Sequence, residues 1–173
     1  SILRCTNKVF QAELFRRHGI PHPATIVTDA DDPEPVADAV GLPCVLKRPD
    51  SAFSQGVMRV STMDELRSRL AELLRDSELV VAQGFVPSAF DWRIGVLGGK
   101  PLFACRYHMA RGHWQIVATG EGGRRRYGQV EALPVEAAPA EAVDIALRAT
   151  APIGDGLYGV DVKQVDDRFL VME

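Results

Sequence analysis

Cysteine is scarce: Cys5, Cys44 and Cys105 are all the chain contains, and they are too few and too far apart for a disulfide framework or a Cys-x-x-Cys zinc knuckle. They are expected to be reduced, mostly buried thiols. Aromatic residues make up only 7% of the sequence, and the 4 histidines have no Ser or Cys placed to use one as a general base. Long hydrophobic runs are missing as well. Leu79 to Ala82 is as long as any, against the ~20 residues that a membrane-spanning helix requires. No charged-then-apolar leader marks a targeting signal. Neither sign of charge dominates: 20 Lys and Arg against 23 Asp and Glu leave a net charge of −3, with no bulk attraction to nucleic acid or anionic lipid. Gly-x-x-x-x-Gly-Lys is absent and no Gly-x-Gly-x-x-Gly follows a strand, which excludes a P-loop and a Rossmann dinucleotide site. What remains is 173 residues at 46% hydrophobic content, the profile of a globular, cytoplasmic protein without a membrane or nucleic-acid partner.

The pattern along the chain alternates elements in its first half. Thr6 is expected to cap a helix running to about His18, which Gly19 and Pro21 stop. A strand at 24–28 precedes a helix opened by Asp32 and Pro33, and a strand at 43–48 leads into a loop at 49–56. After a strand at 57–60, Thr62 and Glu65 form a capping box for a helix that buries Leu66, Leu70, Leu73 and Leu74, and a strand at 79–85 follows. This half reads as a small mixed sheet with helices on one face. The second half reads as hairpins. Gly98 and Gly99 suit a two-residue turn between strands at 91–97 and 100–107, and a glycine- and arginine-rich stretch at 120–127 is expected to be a mobile loop. A helix at 139–150 and a strand pair at 158–165 and 169–173 close the chain. The fold class is α+β in two lobes, with a leading helix at 1–22, a first lobe at 23–86 and a second at 87–173. Ser1 stands directly before a helix and Glu173 inside an apolar strand, so a fragment truncated within the second lobe is expected.

Three groups of residues can carry chemistry. Lys47 ends a strand and enters a loop holding Ser51, Ser54, Gln55 and Gly56, a point charge beside small residues whose N–H groups can approach phosphate oxygens. Asp161 and Glu173 each sit among apolar strand residues, where a carboxylate needs a partner, and Mg²⁺ is held by one or two carboxylates plus phosphates. Because side chains alternate along a strand, these two acids share a face only if a three-residue loop or a bulge sets them opposite each other. Arg93 and Arg106 lie on the two arms of the Gly98-Gly99 hairpin, and guanidinium suits carboxylate and acyl-phosphate oxygens. An internal ion pair of Arg93 with Asp91 or Glu121 remains open.

Taken in order, these pieces resemble the ATP-grasp superfamily, within it the glutathione synthetase and ribosomal-protein glutamate ligase branch. The segments are Lys8 at a helix start, Gly-Ile-Pro-His-Pro-Ala-Thr at 19–25, Leu-Pro-Cys-Val-Leu-Lys-Arg-Pro at 42–49, Gln-Gly-Val at 55–57, Val-Ala-Gln-Gly-Phe-Val at 81–86, Phe-Asp-Trp-Arg at 90–93, and Gly-Val-Asp at 159–161 through Val-Met-Glu at 171–173. The resemblance implies an ATP-grasp fold with the nucleotide between two α+β lobes, and ATP-dependent joining of a small-molecule or peptide carboxylate to an amino-acid amine through an acyl-phosphate. It implies ATP and Mg²⁺ (or Mn²⁺) as cofactors. Lys8 and Lys47 would contact phosphates, and residues 51–56 would be a lid. Gln83, Gly84, Phe85 and Val86 would be the hinge that reads adenine, although Gly84 stands where some relatives carry an acid. Asp91 would contact the nucleotide, Arg106 the transferring phosphoryl group, and Asp161 with Glu173 the metal. A fragment lacking the ligands beyond Glu173 is expected to be inactive by itself. A homo-oligomer, a non-catalytic ATP-binding module and a structural α+β interaction domain remain open.

Overall fold

The computed structural model describes residues 2–50, 56–119 and 124–173, which divide into one unit of Ile2–Leu14 with Pro23–Phe85 and another that includes Phe15–His22 and Val86–Glu173. At the start of the chain, α1 (Ile2–Thr6) and α2 (Lys8–Arg17) are two helices separated by Asn7, where the sequence suggests one. Asn7 is the cap: its Oδ1 accepts from the Phe10 N–H at 2.9 Å. Thr6 cannot take that role because it is still helical, and a cap needs extended backbone.

Strands β1 (Thr25–Thr28), β2 (Cys44–Lys47), β3 (Val57–Val60) and β4 (Val80–Gly84) form a sheet in the order β1-β4-β2-β3, and every ladder is antiparallel rather than mixed. The reason is topological. Helices α3 (Pro33–Val40) and α4 (Met63–Leu74) each join two strands that run the same way but have a third strand between them, so no parallel neighbours arise. Both helices start where the sequence places them. Asp32 accepts from the Glu34 N–H at 3.3 Å, and Thr62 accepts from the Glu65 N–H at 3.2 Å. The Glu65 carboxylate reaches back to the Ser61 N–H at 2.7 Å, one residue before the usual capping-box donor. Val36, Leu66, Leu70 and Leu73 pack on Cys44, Leu46, Val60, Val80 and Ala82, with Leu74 at the margin. Alternation therefore puts Val45, Lys47, Val81 and Gln83 on the face opposite α3 and α4.

In the second unit, β5 (Phe90–Leu97), β6 (Lys100–His108), β9 (Val130–Leu133), β10 (Leu157–Val165) and β11 (Arg168–Val171) form an antiparallel sheet ordered β11-β10-β5-β6-β9, while β7 (Val117–Thr119) and β8 (Arg125–Tyr127) pair separately. Gly98 and Gly99 form the two-residue turn with φ of 55° and 72°. Helix α5 (Ala140–Thr150) lies on the sheet and buries Ala142, Ile145, Ala146 and Ala149. The inward residues of the sheet are Trp92, Ile94, Val96, Ala104, Val160 and Val162. Arg125 and Arg126 belong to strand β8 rather than to a loop, because β7 offers them a ladder; the start of that expected loop, 120–123, lies outside the described residues. Neither β7 nor β9 is legible in the sequence: β9 is an exposed edge strand, with no apolar alternation to read.

Candidate active site

Lys47 ends β2 on the face of the first unit's sheet opposite α3 and α4. Its Nζ donates to Gln83 Oε1 at 2.7 Å, and Gln83 Nε2 donates to Thr25 Oγ1 at 3.2 Å, so one amide is spent at both ends and turns its carbonyl toward the lysine. Thr25 carries no chemical signal in the sequence; only the register Thr25↔Gln83 brings it here. Two residues beyond Lys47, the Pro49 carbonyl accepts from the Lys8 N–H at 2.9 Å, and Asn7 Nδ2 donates to Asp50 at 3.0 Å. The start of α2 thus holds the base of the loop, with Lys8 buried against it. Ser51, Ser54 and Gln55 lie outside the described residues. Gly56 ends the loop at φ +67°, where a Cβ would come within 3.1 Å of Arg48 Nε.

Of the segment 83–86, the Gly84 N–H donates to Ala24 at 2.8 Å and the Phe85 N–H to Pro43 at 3.1 Å, and Gln83 pairs with Thr25 on one side and Val45 on the other, so these amides expected to read a base are engaged by neighbouring backbone. A Cβ on Gly84 would lie 3.0 Å from the Val40 carbonyl oxygen, so glycine fits this close approach without a shift of neighbouring backbone.

The second unit carries an alternating lattice of charge. Asp161 of β10 stands directly opposite Arg93 of β5, and the guanidinium donates Nε to Oδ1 at 2.7 Å and Nη2 to Oδ2 at 2.6 Å. Among the described residues this bidentate fork makes Asp161, and not Asp91, the partner of Arg93; Glu121 lies outside them. One step along on the same face, Lys163 Nζ meets Asp91 Oδ1 at 2.6 Å, and Ser88 Oγ donates to the same oxygen at 2.9 Å. Asp91, expected to be a nucleotide contact, is thus buried in an ion pair with Lys163, a residue the sequence does not single out.

Arg106 is not brought together with Arg93 and Asp161. It pairs in register with Trp92, so alternation sends it to the face shared with α5. There its guanidinium lies 4.8 Å from the Trp92 ring and 5.2 Å from Phe90, and reaches Glu131 at 3.4 Å. Its Nε is buried with no hydrogen-bond partner among the described residues. Tyr107 takes the Arg93 side instead, its ring 4.8 Å from the Arg93 Cζ.

The acid pair depends on an irregularity. Val165 pairs with Arg168, so the connecting turn is the two-residue Asp166-Asp167, with Asp166 at φ 53°, and not the three-residue loop. In regular register this would send Glu173 to the far face. Beyond Val162↔Val171, however, the Met172 N–H donates to the Asp161 carbonyl at 2.7 Å while the Asp161 N–H donates to the Glu173 carbonyl at 2.8 Å. Two residues therefore face one, the signature of a β-bulge, which meets the alternative condition for bringing the acids together. Burial pushes the Asp161 carboxyl up from its ordinary value; the Arg93 hydrogen bond and charge pull it down, and Asp91 and Glu173 push it up again, leaving it raised. Arg93 is held yet more firmly protonated by its hydrogen bond to Asp161.

Among the described residues, no three His, Cys, Asp or Glu side chains converge into a self-sufficient metal cage. Two acids at a bulge suit Mg²⁺ nonetheless, since it takes one or two carboxylates and leaves its other positions to water and phosphate oxygens.

This architecture is the ATP-grasp fold. It matches the ATP-grasp ligase PsnB, solved with its minimal precursor, at a TM-score of 0.66 and 24% identity over 97% of this chain and 50% of that one. Among curated proteins, it is similar to the D-alanine–D-alanine ligase of Chromohalobacter salexigens, 29% identical over 93% of this chain and 52% of the relative. The alpha-aminoadipate–LysW ligase LysX of Saccharolobus solfataricus is 26% identical over 100% of this chain and 62% of its own length. The chain thus spans between about half and two thirds of these curated relatives. No family model matches it.

Proposed function

We propose that the chain is the nucleotide-binding core of an ATP-dependent carboxylate–amine ligase that makes an amide or peptide bond through an acyl-phosphate. The observation that carries this reading is the bulged end of the β10–β11 hairpin, where Asp161, locked by Arg93, meets Glu173 within an ATP-grasp fold. The curated relatives support it, since both are named as ligases.

In this reading Lys47, held by Gln83, and Lys8 bind phosphates. Ser51, Ser54, Gln55 and Gly56 cover them, the 83–86 segment reads the base, and Asp161 with Glu173 holds Mg²⁺ or Mn²⁺. The bound ion would offset negative charge on the phosphates. A substrate carboxylate oxygen attacks the γ-phosphorus as the bond to ADP breaks; an amine then attacks the acyl carbon, the bond from that carbon to the same bridging oxygen breaks, phosphate leaves carrying that oxygen, and the nitrogen gives up a proton. Phosphoryl transfer of this kind asks the protein mainly for position and electrostatic complementarity, which is what a fixed lysine supplies. Arg106 has no part in the transfer: it packs on Trp92 on the α5 side of the sheet.

The carboxylate and the amine are taken to be amino acids or peptides, in the manner of the glutamate-ligase branch; the LysX alignment over the whole chain supports that branch. A cytoplasmic location is part of the proposal. The three free cysteines support it, and among the described residues no helix is long and apolar enough to cross a membrane. The test, made on the full-length protein that carries this chain, is ADP formation with Mg²⁺ and matched pairs, D-alanine with D-alanine and glutamate with a glutamate-terminated peptide. ADP release that requires both a carboxylate and an amine is expected; release indifferent to both would overturn the proposal.

A further inference from the structure

By residue type Arg93 suits substrate oxygens, yet two of its donors, Nε and Nη2, are turned to one carboxylate, Asp161. Its surroundings hold it there. The Tyr107 ring lies against the guanidinium at 4.8 Å, and its stem passes Gly159, where an added Cβ would sit 3.6 Å from Arg93 Cδ. The next row of the same face, Lys163 with Asp91, is already neutralised, so neither charge there is available to displace the fork.

A carboxylate offers about four lone-pair sites, and a bidentate fork uses one on each oxygen. Two sites remain for a cation, and the plane of the carboxylate is set before the cation arrives. We infer that Arg93 is a positioning residue for the metal: with Tyr107 behind it, it orients Asp161 as a ligand rather than touching phosphate or substrate. This rests on the reading of Asp161 as a metal ligand. It makes a directional claim, because a guanidinium that merely occupied the carboxylate would compete with the metal, and its removal would tighten metal binding.

The test is Mn²⁺ binding to the protein, followed by electron paramagnetic resonance in the presence of a non-hydrolysable ATP analogue. Asp161→Asn should weaken Mn²⁺ binding strongly; unchanged binding would overturn the ligand reading itself. With that established, Arg93→Gln should weaken Mn²⁺ binding by about 10- to 100-fold, the range for loss of a group that orients a metal ligand, while affinity for the analogue without metal stays within about twofold. Mn²⁺ binding that is unchanged or tighter in Arg93→Gln, with Asp161→Asn impaired, would overturn the positioning role alone. An equal loss of metal-free nucleotide binding would also overturn it, by showing that Arg93 contacts phosphate. Should Arg93→Gln lose its native circular dichroism, Arg93→Lys carries the test. It keeps the charge but not the fork and should recover only part of the affinity, and full recovery would count against orientation. Tyr107→Phe, which keeps the ring, should bind Mn²⁺ like the parent, and Tyr107→Leu should not.

Discussion

Removing Lys163 alone would leave the Asp91 carboxylate buried beside Ser88 with no counter-charge. Breaking a buried pair in this way costs about 3–5 kcal/mol, far more than a surface pair. Lys163→Met should therefore lower the unfolding free energy by that amount in urea titrations, and Lys163→Met with Asp91→Leu should recover most of it. Under the proposed function Lys47, bonded to Gln83, belongs to the opposite class, a charge that binds phosphate. Lys47→Ala should weaken ATP binding by roughly 1.5–3 kcal/mol, measured by calorimetry, with little loss of stability. Asp161 gives a pH signature. Its carboxyl is raised by burial, so as pH rises through the ordinary carboxylate range the unfolded chain ionises first, and ionisation of the native group then subtracts from stability. Relative to Asp161→Asn, the protein should lose stability between about pH 4 and the raised native value, a slope that denaturation at a series of pH values would reveal. A slope of the other sign would mean that the Arg93 pairing outweighs burial.

The elements whose ends carry a local chemical reason are legible in the sequence. Asp32 with Pro33, Thr62 with Glu65, and Gly98-Gly99 each start or turn an element where expected, because a side-chain acceptor or a positive φ is a property of a few neighbouring residues. What depends on partners elsewhere in the chain is not. The antiparallel order of the first sheet and the exposed strands β7 and β9 follow from which strand or helix happens to be adjacent, whereas the Asn7 cap is a local signal that the neighbouring Thr6 obscures. The same division runs through the candidate site. Asp161 and Arg93 can be nominated by type, but their pairing, the banishment of Arg106 to the α5 face and the recruitment of Thr25, Tyr107 and Lys163 come from register. Gly84 shows how a local substitution can be decided at a distance. A Cβ there would stand 3.0 Å from the Val40 carbonyl oxygen, a backbone atom with little room to yield. Gly84→Glu should therefore destabilise the protein by about 1–3 kcal/mol in thermal or urea unfolding. Cys44, buried in the first core with its thiol pushed up to about 11, should resist alkylation until the protein unfolds.

For the molecule as a whole, two antiparallel units built on the ATP-grasp plan supply a lysine fixed by an amide and a pair of acids joined by a bulge, with an arginine that makes one of them rigid. The central claim is that this machinery phosphorylates a carboxylate. The most direct measurement follows oxygen: the full-length protein that carries this chain is incubated with ATP, Mg²⁺, an amine acceptor and ¹⁸O-carboxylate glutamate or D-alanine, and the released phosphate is analysed by mass spectrometry. An acyl-phosphate route transfers one carboxylate oxygen to phosphate, so phosphate carrying a single ¹⁸O from the substrate is expected. Phosphate that takes its new oxygen only from water, with the carboxylate label intact, would contradict the account.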